Sequence, residues 1–227
     1  MIEAPLLLPE FHLFPAHVTY TWLAMAILIG LALAARLSLK KSAPTGLQNF
    51  FEVIVGGLEN FVVDTMGPEG KRYLPLIGSL FLFILVCNLM GLVPGFESPT
   101  GNVNTTLSLA LVAFAVTHAV GVRRWGIGYI KHFLGPIWWL TPLMFPIEVV
   151  SHFARVISLT FRLFGNMAAK HILLVVLFIL YPYFLQVPIL GLGLLVAFVQ
   201  AGVFMLLTTL YIAGSVEEAH MGGGEHH

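Results

Sequence analysis

The chain has 227 residues, 58% of them hydrophobic and only 10% charged, with a formal net charge of zero and one cysteine. A soluble domain carries about a quarter charged residues, so this chain lacks the polar surface to cover an apolar core in water, and its balanced charge offers no field for nucleic acid. The solvent that suits it is lipid, and a lone cysteine, Cys87, cannot close an internal disulfide.

Residues 1–17 have no basic n-region and do not read as a cleaved signal peptide. The stretch 18–35 has no Asp, Glu, Lys or Arg and is predicted as the first span, since a crossing takes about 20 mostly apolar residues. In 46–66, Gln48, Glu52, Glu59 and Asp64 are interleaved with Phe50, Phe51, Val53, Ile54, Val55, Leu58 and Phe61. That pattern predicts an amphipathic helix, lying on the cytoplasmic membrane surface or packed on a partner. The second span is predicted at 73–96 and the third at 104–122. Pro142 and Pro146 delimit the start of a long helix, 147–181, which contains no proline. At ~1.5 Å per residue it reaches ~52 Å, against a hydrocarbon core of ~30 Å, so it must tilt strongly or bend at Gly165. Tyr181-Pro182-Tyr183 and Gln186-Val187-Pro188 break the next uncharged run, leaving a last helix at 188–216. The tail, 217–227, is rich in Gly and His and reads as solvated and mobile, with no other ligand cluster to make a metal site.

Basic residues set the expected orientation. Arg36, Lys40, Lys41, Lys71 and Arg72 separate the first two spans, and Arg123, Arg124 and Lys131 separate the third and fourth. The opposite segments, 1–17, 93–104 and 181–188, carry no Lys or Arg. The positive-inside rule then puts the N-terminus outside and the C-terminus in the cytoplasm. The expected fold is an all-α integral membrane protein: one membrane domain, 1–227, with five transmembrane spans, an amphipathic interfacial helix and a long, strongly tilted helix pair at the C-terminal end.

Within the long helix, Glu148, Ser151, Arg155, Ser158, Arg162 and Asn166 are spaced 3, 4, 3, 4 and 4 and share one face. Val149, Val150, Phe153, Ile157, Leu159, Phe161, Leu163 and Phe164 cover much of the remainder. A charge inside a membrane is costly, by ~3 kcal/mol or more, and such residues face a partner or a wet cavity. Snorkelling suits Arg155, nearer the start of the helix. Glu148 is far from Arg162 in sequence, and no other acidic residue follows until Glu217. Arg162 is therefore expected to find its counter-charge on another subunit.

Several motifs resemble a known family. Ser158-Leu-Thr-Phe-Arg-Leu-Phe-Gly-Asn-Met167 is similar to the R-L-F-G-N signature of subunit a in the membrane FO sector of F-type ATP synthases. Asn88-Leu-Met-Gly-Leu-Val-Pro94 resembles the family's N-L-x-x-L-x-P, Asn102-Val-Asn-Thr-Thr-Leu-Ser108 its N-x-T-L-S, and Gln200-Ala-Gly-Val-Phe-Met205 its Q-A-x-x-F. Tyr211 followed by Glu217-Glu218 resembles its ending, so the likeness runs from about residue 10 onward.

The resemblance implies a stator subunit in a bacterial inner membrane, beside a rotating ring of c subunits and the peripheral-stalk b subunits, with no cofactor and no catalysis by the chain alone. Two aqueous half-channels would carry protons to and from the ring carboxylates, with Arg162 separating them. Arginine holds its proton at any working pH, favours the ionised form of each arriving carboxylate, and does not relay protons between half-channels. Asn166 and Gln200 would accompany Arg162, although Gln200 on physical grounds reads equally as a helix–helix polar contact. Glu148, Ser151, His152 and Arg155 would line the cytoplasmic side, with a solvated helix start as the competing reading. Asn88, Asn104, Thr105, Ser108 and His171 would line the outer side. Gly193 stands where the family commonly has His or Glu, Gly91 where it has Asp, and Lys170 is unusual. Outer proton access is therefore expected through His171 with water, or His118, with Glu97, Glu10 or Glu3 as conceivable partners.

Two other readings compete. A stand-alone secondary proton-coupled transporter would commonly show inverted repeats, and no repeat is visible. A purely structural scaffold would leave the polar stripe unexplained. No phosphate loop, HExxH or cysteine cluster points to a soluble enzyme.

Overall fold

The structure, a computed structural model, describes residues 15–38, 46–93, 96, 98–125, 141–180 and 186–221. The expectations placed on Glu3, Glu10, Lys40, Lys41, Glu97, Lys131, the Tyr181-Pro182-Tyr183 break and the tail beyond Met221 lie outside the described residues. Within the described residues every regular element is helical: α1 (Ala16–Ser38), α2 (Gly46–Met66), α3 (Leu74–Met90), α4 (Val103–Trp125), α5 (Thr141–Leu180) and α6 (Gln186–Met221). Short 3-10 turns, Pro68–Arg72 and Pro99–Gly101, precede α3 and α4.

Four of these helices are long and apolar enough to cross a membrane, over Ala16–Leu37, Val103–Arg124, Pro142–Leu177 and Val187–Val216. The fifth apolar helix, α3, has 17 residues, about 26 Å of rise. It is also the helix most enclosed by its neighbours, with Ile77, Gly78, Leu80, Ile84, Cys87, Asn88 and Met90 buried.

The core lies where α3, α4, α5 and α6 meet. Leu80 and Ile84 from α3, Ala110 and Ala113 from α4, Val156, Leu159 and Leu163 from α5, and Ala201 and Phe204 from α6 form one buried cluster. Lipid is as apolar as these side chains, so close packing, not escape from solvent, must hold the helices together. The alanines at the contact serve that end, since Ala110, Ala197 and Ala201 are fully buried and let backbones approach.

The helix α2 docks through Val62 against Ile77, Met205, Ile212 and Val216, while Phe50, Val53, Val55 and Phe61 stay exposed. Both apolar partners and an open apolar face are thus present on one helix. Lys71 Nζ lies 2.8 Å from Glu59 Oε1, and Arg124 pairs with Glu69. The second pair joins the end of α4 to the turn before α3, which places both basic segments at one end of the bundle.

The long helix differs at its start from the sequence expectation. It begins at Thr141, has 40 residues and passes through Pro146. The physical reason is that Pro142 sits in the first turn, where N–H groups have no intrahelical acceptor, and Pro146 removes only one bond just beyond it. Gly165 does not interrupt the helix, which continues unbroken to Leu180.

Candidate functional site

The periodicity of α5 divides its surface in two. His152, Val156, Leu159, Thr160, Leu163 and Met167 are buried against the bundle. The polar stripe runs along the border of that face. Glu148, Ser151 and Arg155 are half-buried, whereas Ser158, Arg162 and Asn166 are exposed. Exposed Phe153, Ile157 and Phe161 flank the stripe.

Arg162 therefore sits on the outer face of the bundle among apolar side chains. Its guanidinium has no ion-pair partner among the described residues. One turn on, Asn166 Nδ2 donates to Gln200 Oε1 at 2.6 Å, and Gln200 is buried on α6. The acceptor of Gln200 thus meets Asn166 rather than the guanidinium, because Asn166 is the stripe residue level with it across the α5–α6 contact. Both the site reading and the helix-contact reading of Gln200 survive in this one bond. Replacing Asn166 and Gln200 singly and together by Leu is expected to give a coupling energy of about 0.6–1.7 kcal/mol in a thermal-unfolding cycle, the range of membrane side-chain bonds. Additive effects would show the bond to be unimportant.

Of the residues expected on the cytoplasmic side, Glu148 and His152 approach each other and Arg155 reaches α6. His152 Nδ1 lies 3.9 Å from Glu148 Oε1, and the Arg155 guanidinium lies over the Tyr211 ring at 4.7 Å. His118, by sequence a possible outer residue, lies beside His152. Its ring meets that of His152 with centroids 4.8 Å apart. The reason is register: the second half of α4, which carries His118, runs beside His152, about three turns into α5.

The residues expected on the outer side are more scattered. Asn88 is buried, donates to the Ala197 carbonyl at 3.5 Å and accepts from Thr100 Oγ1 at 2.8 Å. Ser98 Oγ donates to the Cys87 carbonyl at 3.0 Å and shares a 2.8 Å bond with Thr100. These bonds staple the Pro99–Gly101 turn to the end of α3. Asn104 and Ser108 are exposed on the first turns of α4, where Ser108 Oγ donates back to the Asn104 carbonyl at 2.7 Å, and Thr105 is half-buried. His171 is exposed on α5.

Two departures from the family pattern explain each other. A Cβ at Gly193 would lie 2.8 Å from Leu92 Cδ2 and 3.1 Å from Lys170 Cδ. The lysine stem occupies the space that a side chain at 193 would need, and its Nζ is buried without a hydrogen-bond partner. Each position stands out in the sequence, and only the fold joins them. Gly193→Leu is expected to displace Lys170 and Leu92 and destabilise the chain by about 1–3 kcal/mol, read as a lower Tm, whereas Gly193→Ala moves only flexible side-chain ends and costs less.

A protein-family model described as ATP synthase A chain matches residues 18–213. The chain belongs to the ATP synthase subunit a family. It is 55% identical over 203 residues to ATP synthase subunit a 3 of Pelobacter propionicus, covering 89% of this chain and 88% of that one. ATP synthase subunit a of Citrifermentans bemidjiense is 57% identical with the same coverage. A second Pelobacter propionicus protein, ATP synthase subunit a 1, is 52% identical over 95% of this chain and 99% of its own length. For a subunit a family member, the all-helical bundle and its four span-length helices describe a multi-pass membrane protein.

Proposed function

We propose that the chain is the stator subunit a of an F-type ATP synthase, with Arg162 as the fixed positive charge that each ring carboxylate meets. The observation that carries this is the position of Arg162: exposed on the outer face of α5, flanked by exposed Ile157 and Phe161, with no ion-pair partner among the described residues. A charge so placed in lipid costs ~3 kcal/mol or more unless something else neutralises it. A succession of carboxylates on a passing ring does so, and the cation favours their ionised form, releasing each proton.

In this reading the five apolar helices α1 and α3–α6 all span, α2 lies at the cytoplasmic surface, and α5 and α6 tilt because their lengths exceed the membrane. The basic ends of α1 and α4 face the cytoplasm of a bacterium. Glu148, Ser151, His152 and Arg155 line the path on that side. Asn104, Thr105, Ser108 and His171 stand toward the other, and Asn88 holds its wall. Protons are the carried ion, and peripheral-stalk b subunits hold the chain still. Family membership favours this over a stand-alone transporter. The test is Arg162→Ala in the assembled complex in inverted membrane vesicles. ATP-driven proton pumping is expected to vanish while passive leak rises, and unchanged pumping would sink the proposal.

A further inference from the structure

The stripe on α5 is not the whole of the cytoplasmic-side cluster, because α4 and α6 close a small cleft against it. Thr117 and His118 from α4, Arg155 from α5 and Tyr211 from α6 are among its walls. The His118 ring meets the His152 ring edge to face, with centroids 4.8 Å apart at 89°, and lies against Phe114, tilted by 41° with centroids 4.0 Å apart. His152 is only 8% exposed. Two imidazoles from different helices in ring contact, beside a carboxylate and a cleft, form a constellation that the α5 pattern alone does not contain.

The tautomer of His118 follows from its surroundings. Its Nδ1 lies 2.9 Å from the Phe114 carbonyl oxygen. A carbonyl only accepts, so Nδ1 carries the hydrogen, and Nε2 is the nitrogen that gains and loses a proton. Among the described residues, the charged and titratable groups facing the pair are Glu148 and Arg155 from α5 and Tyr211 from α6. Thr117 on α4 is committed to the Ala113 carbonyl at 2.9 Å, and Arg124, farther along α4, is held by Glu69.

We propose that His118 and His152 form a one-proton station on the cytoplasmic side of the path, with His118 as a proton-relaying residue for this subunit. This deepens the stator reading and rests on it. Two imidazolium ions in ring contact repel, and Arg155 adds a fixed positive charge, so the pair holds one proton and not two. The Glu148 carboxylate near His152 stabilises that one. In the pumping direction a hydronium ion in the cleft gives up a proton to His118 Nε2. That N–H bond then breaks as His152 takes the proton on one ring nitrogen and releases one from Nδ1 to the Glu148 carboxylate; His118 is again neutral, and His152, left in its other tautomer, is reset by a turn of its ring. In the synthesis direction the same bonds form and break in reverse.

The test uses inverted vesicles carrying the whole complex, whose medium faces the cytoplasmic side. Initial rates of ATP-driven pumping are measured against medium pH and normalised to hydrolysis after detergent uncoupling. The native complex is expected to show a pH-dependent step in that rate. His118→Gln is expected to remove that step and slow pumping about tenfold, below the usual contribution of a positioned acid–base group. His118→Phe keeps a ring against Phe114 and is expected to behave the same way, which separates titration from packing and carries the test where the Gln variant does not assemble. Retention of the native step in either assembled variant overturns the station, even with a slower rate. Arg162→Ala in parallel keeps the two ideas apart: pumping lost there with a native His118 profile overturns the station alone, and pumping retained there overturns the stator reading.

Discussion

Arg162→Lys is expected to lose coupled pumping almost as fully as Arg162→Ala, by about a hundredfold or more, the scale of removing one preorganised charge-stabilising group. The argument rests on what lysine cannot do at an exposed apolar face. Ile157 and Phe161 flank the position, each more than half exposed, so a partner or lipid, not water, surrounds the side chain. An ammonium ion there sheds its proton readily, and a neutral amine no longer holds a carboxylate ionised. A guanidinium keeps its charge and presents a planar fork that a carboxylate can meet with two bonds. The measurement is dye-reported proton uptake in inverted vesicles with ATP supplied. A lysine variant pumping at the native rate would show that a point charge suffices and that permanence of charge is not required.

Asn88→Asp is expected to lower the amount of assembled subunit, with Asn88→Leu next and Thr100→Val mildest. Asn88 is fully buried, and its amide serves two partners of opposite kind: it donates to the Ala197 carbonyl and accepts from Thr100. Aspartate can accept from Thr100 but sets a carboxylate against a carbonyl oxygen with no donor between them. Leucine removes both bonds, but Thr100 keeps its contact with Ser98 Oγ and the Ala197 carbonyl its place in α6, so each loss costs about 0.5–1.5 kcal/mol. Valine at 100 leaves one acceptor lone pair unmet. The order Asp, Leu, Val should appear in membrane protein levels and in Tm of the purified complex. Were Asn88 a carrier of protons and not a structural clamp, the aspartate variant would assemble normally and conduct better, which is the opposite result.

The parts of this molecule legible from sequence are those with a local period or a length. Uncharged runs mark the apolar helices, and the 3.6-residue repeat marks the polar face of α5. The start of α5 was less legible, because Pro142 and Pro146 look like stops until their places in the opening turns are known. What could not be read were contacts between residues far apart in the chain. The fit of Lys170 into the space over Gly193 leaves a trace only as two coincident departures from a family pattern. The meeting of His118 with His152 leaves none, since nothing on α4 declares which turn of α5 it lies beside. Asn88 carried a family motif, yet its closure with Thr100 depends on how the turn at 99–101 folds back.

The continuity of α5 has a mechanical consequence. From Thr141 to Leu180 it is one continuous helix, about 60 Å along its axis, unbroken at Gly165. A helix unbroken at Gly165 passes displacement along its hydrogen-bonded backbone instead of folding at that point. In the proposed stator, the turn that carries Arg162 is therefore braced from both sides by the same helix.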